Sequence, residues 1–208
     1  MQGAATVPVT VMTEEEQGAA AGEDQVRAHT YSLLGALLTG APSPDLLQML
    51  AAVDADAGAG EDFAAAWREL SLAAGRAEGV DAEYQDLFIG LGRGEVVPYG
   101  SWYMTGFLMD KPLALLRGDL AALGFERQDD VKEPEDHAGA LCETMALLVN
   151  DAHPVAGQRE FYQAHMEPWM ATFFRDLRAA PSASFYRAVG QFGEQFIKFE
   201  SGYLSMLV

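Results

Sequence analysis

The sequence predicts an all-α protein, built as an irregular single-domain bundle of about eight to ten helices. From Asp24 onward, apolar residues recur three and four positions apart, which is the spacing of a buried helix face, and they do not alternate as in a strand. Hydrophobic residues make up 50% of the 208-residue chain, enough for a substantial core. The chain shows no alternation of strands with helices, no internal repeat and no heptad run of coiled-coil length.

The first 22 residues differ in composition from the rest. They are small, acidic and without helical patterning, so residues 1–22 are predicted to form a disordered tail and residues 23–208 one helical domain. Val7, Val9 and Val11 alternate like a strand, but Pro8 and the lack of a partner strand argue against one.

Each early helix is predicted from its caps and its apolar stripe. The first begins near Asp24 and ends near Gly40. Ser43 suits the N-cap of the second, because Pro44 follows at the first helical position. Asp81 is expected to cap the fourth helix. The apolar stripes of the first, second, third and fourth predicted helices are, in that order, Val26, Leu33, Leu34, Leu37 and Leu38; Leu46, Leu47, Leu50 and Val53; Phe63, Trp67, Leu70 and Ala74; and Tyr84, Leu87, Phe88 and Leu91.

The later helices follow a glycine-rich break at residues 90–100. One helix restarts near Pro112 and ends with Gly124 at its C′ position. Pro134 is expected to open the next helix, and Pro168 to kink or split an aromatic-rich one. The apolar stripes of these later helices are, in chain order, Leu113, Leu116, Leu120 and Leu123; Ala138, Leu141, Cys142, Met145, Leu148 and Val149; Phe161, Met166, Trp169, Phe173 and Leu177; and Phe185, Val189, Phe192, Phe196 and Phe199.

Charge and cysteine content exclude several functional classes. Thirteen basic and 31 acidic residues give a net charge of −18, which argues against nucleic acid and anionic membranes as partners and favours basic ones. A single cysteine, Cys142, excludes an intrachain disulfide and indicates a reducing compartment.

The chain carries no signal peptide, no twin-arginine pair and no apolar run of about 20 residues, so a cytoplasmic protein without a membrane span is expected.

The common catalytic motifs are absent. No GxxxxGK[ST], HExxH or paired ExxH string occurs, and the GxGxxG-like stretch from Gly90 has Glu95 at its third glycine position. Ser101 lies in YGSWY rather than in GxSxG. Cys142 falls on an apolar helix face and is expected to be a core residue.

Two segments remain as a candidate binding site. The first, PYGSWYMTG at 98–106, places the aromatic residues Tyr99, Trp102 and Tyr103 beside a glycine-rich loop. These side chains suit an aromatic wall for an extended peptide or apolar ligand. The alternative is that they only pack the loop against the helices.

The second segment, at 129–145, places Glu133, Glu135 and Asp136 at the expected start of a helix, where the helix dipole stabilises acids. His137 borders the apolar stripe, one turn after Glu133. Asp136 offers a carboxylate that can accept an arginine side chain with both oxygens, so Asp136 and His137 suit recognition of a cationic ligand. The alternative is a buried histidine with purely structural acids.

These residues give the chain a resemblance to the TorD/DmsD family of maturation chaperones for molybdenum oxidoreductases. The resemblance is carried by YQDLFIGLGRGEVVPYGSWY at 84–103, EPEDHAGALCETM at 133–145 and HMEPWMATFF at 165–174. It extends over about residues 24–200 and implies a TorD-like helical fold. It also implies a non-enzymatic chaperone without a cofactor of its own, since the molybdenum cofactor belongs to the client.

The resemblance implies a partner and the residues that bind it. The partner is the apo form of an enzyme of the dimethyl-sulfoxide-reductase class, bound often through its basic twin-arginine signal peptide until the cofactor is inserted, which delays export. Members of the family occur as monomers or homodimers. A formate-dehydrogenase-like client is favoured weakly by the sequence after Gly100. The implied binding residues are Tyr99, Trp102, Tyr103, Gly106, Glu133, Asp136 and His137, with Glu143 as a weaker candidate.

Two other classes stay open. One is a permanent helical accessory subunit of an oxidoreductase complex, which would accompany the mature, cofactor-loaded enzyme. The other is a metal-dependent hydrolase that uses Glu133, Asp136, His137 and Glu143, although such helical enzymes generally gather more histidines.

Overall fold

A computed structural model describes residues 14–53, 61–90, 93–126 and 132–206. Within these ranges the chain forms ten α-helices and no strand, which confirms the all-α prediction. A π-helical turn, Gln85–Ile89, continues α4. The helices are α1 Glu14–Thr39, α2 Pro44–Ala52, α3 Glu61–Ala74, α4 Val80–Tyr84, α5 Gly100–Thr105, α6 Lys111–Ala122, α7 Ala138–Asn150, α8 Val155–His165, α9 Met170–Ala179 and α10 Phe185–Met206.

Helix α1 begins earlier than the sequence patterning indicated. It starts at Glu14, so residues 14–22, expected to be disordered, form its first turns. This stretch lacks an apolar stripe, but it is rich in alanine, glutamate and glutamine, which all have high helix propensity. Residues 1–13, with the alternating valines, lie outside the described residues, and the division of the chain into tail and domain stays a prediction.

Several predicted helix ends are confirmed. The Ser43 hydroxyl caps α2 by accepting a hydrogen bond from the Leu46 amide at 3.2 Å. Gly124 follows α6 with φ of 83°. The next amide, that of Phe125, donates to the Leu120 carbonyl at 2.9 Å, which closes a Schellman-type end. Pro168 lies between α8 and α9, so the aromatic-rich segment is split rather than kinked.

Two predicted helix starts are wrong. The N-cap of α4 is Gly79, with φ of 64°, and Asp81 lies inside the first turn. Pro134 does not open α7: this helix begins at Ala138 and is capped by His137. The pattern around Pro134 is typical of a helix start, but the acidic residues after it form a turn. In this turn the His137 amide donates to the Pro134 carbonyl at 3.1 Å.

The core lies where α1 packs against α7 and where α10 packs against α3 and α9. Glycines permit the first of these contacts, since a Cβ on Gly35 would lie 2.8 Å from Cγ of Glu143, and one on Gly139 would lie 2.6 Å from Cγ2 of Thr39. Cys142 is fully buried here, as predicted, and burial raises the pKa of its thiol. No helix among the described residues has both the length and the apolar character to cross a membrane.

A buried ion pair joins α1 to α10. Arg27 and Glu200 are both fully buried, and the guanidinium donates from Nε at 2.9 Å and from Nη2 at 2.6 Å to the two carboxylate oxygens. Arg27 also donates to Gln158 of α8 at 2.9 Å and to Asp24 at 2.6 Å. Burial alone would lower the pKa of Arg27, but the hydrogen bond and charge of Glu200 outweigh it and hold the pKa above its ordinary value. The network therefore orients three helices.

Arg27→Met is expected to lower the free energy of unfolding by about 3–5 kcal/mol, because it leaves the Glu200 carboxylate buried without its cation. Urea denaturation measures the loss. Arg175→Ala, which removes an exposed ion pair to Glu194, is the matched control and should cost less than about 1 kcal/mol. Equal losses from the two variants would contradict the role assigned to the buried pair.

Candidate functional site

Backbone pairing joins the two segments that the sequence singled out. Tyr99 and His137 form an isolated antiparallel bridge. In it the Gly100 amide donates to the Asp136 carbonyl at 2.9 Å, and the Ala138 amide donates to the Pro98 carbonyl at 2.8 Å. The start of α5 and the start of α7 are therefore held together as one unit, which we call the bridge.

Asp136 lies beneath the bridge, not on its surface. The residue is only 3% exposed, and its Oδ2 accepts a hydrogen bond from the Ser101 amide at 2.7 Å. Its carboxylate thus caps the N-terminus of α5 from another part of the chain. The Ser101 hydroxyl in turn accepts from the Met109 amide at 3.1 Å. This burial leaves Asp136 out of reach of an arginine side chain arriving from solvent.

His137 is the N-cap of α7 and also lines a pocket. Its Nδ1 accepts a hydrogen bond from the Gly139 amide at 3.1 Å, so the ring proton of the neutral form lies on Nε2. The ring meets Tyr99 edge to face at a centroid distance of 5.2 Å. Burial lowers the pKa of His137, against the opposing effect of the Glu133 and Asp136 charges. The imidazole is therefore neutral at pH 7.

The pocket beside the bridge has a volume of about 820 Å³ and is walled by α4, its π-helical turn, α6 and α7. Four of the predicted binding residues line it: Tyr99, Glu133, His137 and Glu143. The apolar part of the wall comes from residues that the sequence analysis did not assign to a site. These are Tyr84, Phe88, Ile89, Leu120, Phe125 and Leu147.

Among the described residues that line this pocket, carboxylates outnumber cations. Glu126, Glu133, Glu135 and Glu143 face Arg117 and Lys132. The Arg117 guanidinium is already bound to Glu135, with Nε at 2.9 Å and Nη2 at 2.8 Å from Oε2.

Glu133 and Glu143 differ in how they are held. The Tyr99 hydroxyl donates to Glu133. Glu143 makes no hydrogen bond or ion pair with any described residue, and burial raises the pKa of its carboxyl. Glu143 is thus a partly desolvated carboxylate at the pocket wall that pairs with no cation among the described residues.

The remaining predicted residues lie away from the pocket. The Trp102 ring contacts the Arg93 guanidinium, 5.1 Å from the ring centroid. Tyr103 stacks on Trp169 at 5.4 Å and donates its hydroxyl to Asp176 at 2.9 Å. Gly106 ends α5 with φ of 82°. The last turn of α5 and the loop after it expose a group of apolar side chains that the sequence analysis also did not assign to a site: Met104, Phe107, Leu108 and Met109.

The family model described as nitrate reductase delta subunit matches residues 56–175, more than half of the chain. Chaperone protein TorD of Vibrio parahaemolyticus is 24% identical over 135 residues, covering 59% of this chain and 63% of the relative. The probable Tat proofreading chaperone DmsD of Haemophilus influenzae is 30% identical over 120 residues, covering 55% and 57%.

A solved structure shows the same fold. A putative redox enzyme maturation protein from Archaeoglobus fulgidus superposes with a TM-score of 0.55 at 17% identity, covering 83% of this chain and 93% of that one. This likeness shows that the two chains share an all-α fold.

The chain belongs to the TorD family, the family of the matching model, and this confirms the resemblance seen in the sequence. Its curated relatives are named chaperones. The matched region spans just under two thirds of the length of the TorD relative.

Asp136→Ala is expected to lower the free energy of unfolding by about 1–2 kcal/mol, because the Ser101 amide loses its cap. Asp136→Asn should recover much of this, since its amide oxygen can still accept the hydrogen bond. Urea denaturation of the two variants tests the assignment. If Asp136→Ala unfolds at the same denaturant concentration as the parent chain, Asp136 does not hold the bridge.

Glu143→Gln is expected to stabilise the protein at pH 7, by less than about 1 kcal/mol because the side chain is partly exposed. The folded-state pKa of Glu143 lies above its ordinary value of 4.5. The folded state therefore binds the proton more tightly, and stability falls as pH rises through the folded pKa.

Thermal melts of the Glu143→Gln variant from pH 4 to pH 8 measure this effect. The gain over the parent chain should shrink as the pH falls toward the ordinary pKa of a glutamate. A gain that is constant across the range, or a loss at pH 7, would show that the raised pKa of the Glu143 carboxyl is not the cause.

Proposed function

We propose that this chain is a cytoplasmic, non-catalytic chaperone for a molybdenum oxidoreductase of the dimethyl-sulfoxide-reductase class. It binds the apo enzyme through the twin-arginine signal peptide, assists cofactor insertion and delays export. The names of its relatives support the class of function. The observation that carries the proposal is the pocket beside the bridge, which among the described residues combines an apolar wall with the Glu143 carboxylate.

The chemistry of a twin-arginine peptide matches both parts of this pocket. Such a peptide pairs guanidinium groups with an apolar segment. A guanidinium is weakly hydrated and forms two parallel hydrogen bonds to a carboxylate, so it suits a partly buried acid better than an ammonium does. The apolar segment gains by covering the wall formed by residues such as Phe88, Leu120 and Phe125.

Glu143 is the carboxylate that we assign to the arginine pair. It lies in the pocket wall, and burial already destabilises its charged form, so an incoming cation recovers that cost. Glu133 accepts a hydrogen bond from the Tyr99 hydroxyl and gives the pocket wall a second negative charge. Asp136 and His137 act as positioning residues, because one caps α5 and the other caps α7.

In this proposal Trp102, Tyr103 and Gly106 lie outside the pocket. They shape α5 and the exposed loop after it, which adds apolar surface outside the pocket. The molybdenum cofactor stays with the client. Among the described residues, no group of three or more histidine, cysteine, aspartate or glutamate side chains is arranged to hold a metal ion.

Peptide binding tests the assignment of Glu143. A fluorescein-labelled peptide with two arginines before an apolar segment should bind Glu143→Gln about tenfold more weakly than the parent chain, since one charge-assisted contact of about 1.5–3 kcal/mol is lost. Fluorescence anisotropy measures the affinity. Glu160→Gln, at an exposed position on α8, is the matched control and should bind normally.

A second peptide, in which glutamine replaces both arginines, completes a double-mutant cycle with the Glu143→Gln variant. Its affinity should be low and should not differ between the parent chain and Glu143→Gln, because the contact needs both partners. An equal loss for both peptides would mean that the substitution disturbs the pocket rather than the arginine contact. No loss with the arginine peptide would refute the assignment.

A permanent accessory subunit is the second candidate, favoured by the description of the matching family model as a subunit. The two candidates differ in the state of the client that they bind. A chaperone should co-purify with a precursor enzyme that keeps its leader and lacks molybdenum, whereas a permanent subunit should co-purify with the mature, loaded enzyme. Mass spectrometry of the captured enzyme, with a molybdenum assay, separates them.

A further inference from the structure

A second groove lies between the start of α3 and the last turns of α10. Its volume is about 520 Å³, and it shares no residue with the pocket beside the bridge. We call it the α3–α10 groove. It is lined by Glu61, Asp62, Phe63, Gln195, Lys198, Phe199, Gly202, Tyr203 and Met206.

The groove has an aromatic floor that extends to the surface. Phe63 stacks on Phe192 at a centroid distance of 5.2 Å and on Phe199 at 6.0 Å, and Phe199 stacks on Tyr203 at 6.2 Å. Burial of this row is incomplete, because Phe199 is 36% exposed and Met206, at the end of the groove, is 77% exposed. A continuous apolar surface is therefore open to a partner.

Gly202 keeps the groove open. It lies inside α10, and a Cβ built on it would meet no atom within 4 Å. Glycine is a poorer helix residue than alanine, and no neighbouring atom within the described structure requires its small size. What the glycine does provide is room on the groove floor for a side chain or backbone of another molecule.

The rim of the groove is acidic. Glu61 and Asp62 line it, and Asp24, inside the neighbouring helix α1, accepts a hydrogen bond from the Tyr203 hydroxyl at 3.3 Å. The positive charges nearby are largely compensated. Lys198 pairs with Asp62 at 3.8 Å, and Arg27 binds both Glu200 and Asp24, so the four carboxylates here outnumber the two cations among the described residues. A partner with basic residues around an apolar stripe is complementary to this surface.

We infer that the α3–α10 groove binds an amphipathic helix of a partner protein, with its apolar stripe on the aromatic floor and flanking lysines or arginines at the acidic rim. A second copy of this chain is a poor occupant, since both copies carry a net charge of −18. Residues 54–60, which precede α3, contain only Asp, Ala and Gly and offer no large apolar side chain.

A designed helix tests the inference. The probe is a fluorescein-labelled peptide of about 18 residues, five helical turns, with leucines on one face and lysines on the flanks. Gly202→Leu fills the groove and should weaken binding by at least about tenfold, the loss of one well-packed contact. Gly118→Leu, at an exposed glycine of α6 that also has no atom within 4 Å of its Cβ position, is the matched control and should bind as the parent chain does.

Two further measurements show whether weaker binding by Gly202→Leu comes from a folding defect or from the pocket of the proposed function. Gly202→Ala should melt at a higher temperature than the parent chain, which shows that α10 tolerates a side chain at this position. Glu143→Gln should bind the designed helix with unchanged affinity, because the groove and the pocket share no residue.

Three results would overturn the inference. One is unchanged binding of the designed helix to Gly202→Leu. Another is equal binding of a probe in which glutamates replace the lysines, because the acidic rim would then play no part. The third is binding only after residues 1–13 are deleted, which would make this chain's own N-terminal segment the occupant of the groove.

Discussion

The candidate site depends on the pairing of Tyr99 with His137. Two segments that lie at least 34 residues apart in the chain meet through this bridge, through the capping of α5 by Asp136 and through the hydrogen bond from Tyr99 to Glu133. The two hydrogen bonds of the bridge fix where α5 and α7 begin. They also place the Tyr99 ring and the His137 ring on the wall of the pocket. Without the bridge the acidic turn before α7 would have no defined position.

The same arrangement explains why the acids in this region have unequal roles. Asp136 is buried and its Oδ2 caps the start of α5, whereas its Oδ1 is buried without a hydrogen bond to a described residue. Glu143 lies in the pocket wall, where burial raises its pKa and no described residue compensates its charge. An arrangement that costs stability in the free protein and is relieved by a cationic ligand is typical of a binding site.

Much of the fold could be predicted because it follows local rules. The α2 cap at Ser43, the end of α6 at Gly124 and the burial of Cys142 each depend on neighbouring residues. The start of α7 could not be predicted in this way. The Pro134 pattern suggests a helix start, but pairing with residues 98–100 holds the acidic turn outside the helix. Tertiary contacts of this kind leave no periodic signal in the sequence.

The candidate site was predictable to a similar degree. The residue types of the two segments indicated Tyr99 and His137, and the family resemblance implied Glu143; all three line the pocket. The burial of Asp136 could not be foreseen, because it depends on the approach of α5 from a distant segment. Apolar wall residues such as Leu147 were also missed, since the edge of a helix stripe looks the same in sequence whether it faces a core or a pocket.

The most direct test of the account is a structure of this chain bound to a twin-arginine peptide. The account predicts that a guanidinium of the peptide forms hydrogen bonds with the Glu143 carboxylate, and that the apolar segment covers Leu120 and Phe125. The bridge between Tyr99 and His137 should be unchanged. A peptide bound against Trp102 and Tyr103, with its arginines distant from Glu143, would contradict the central claim.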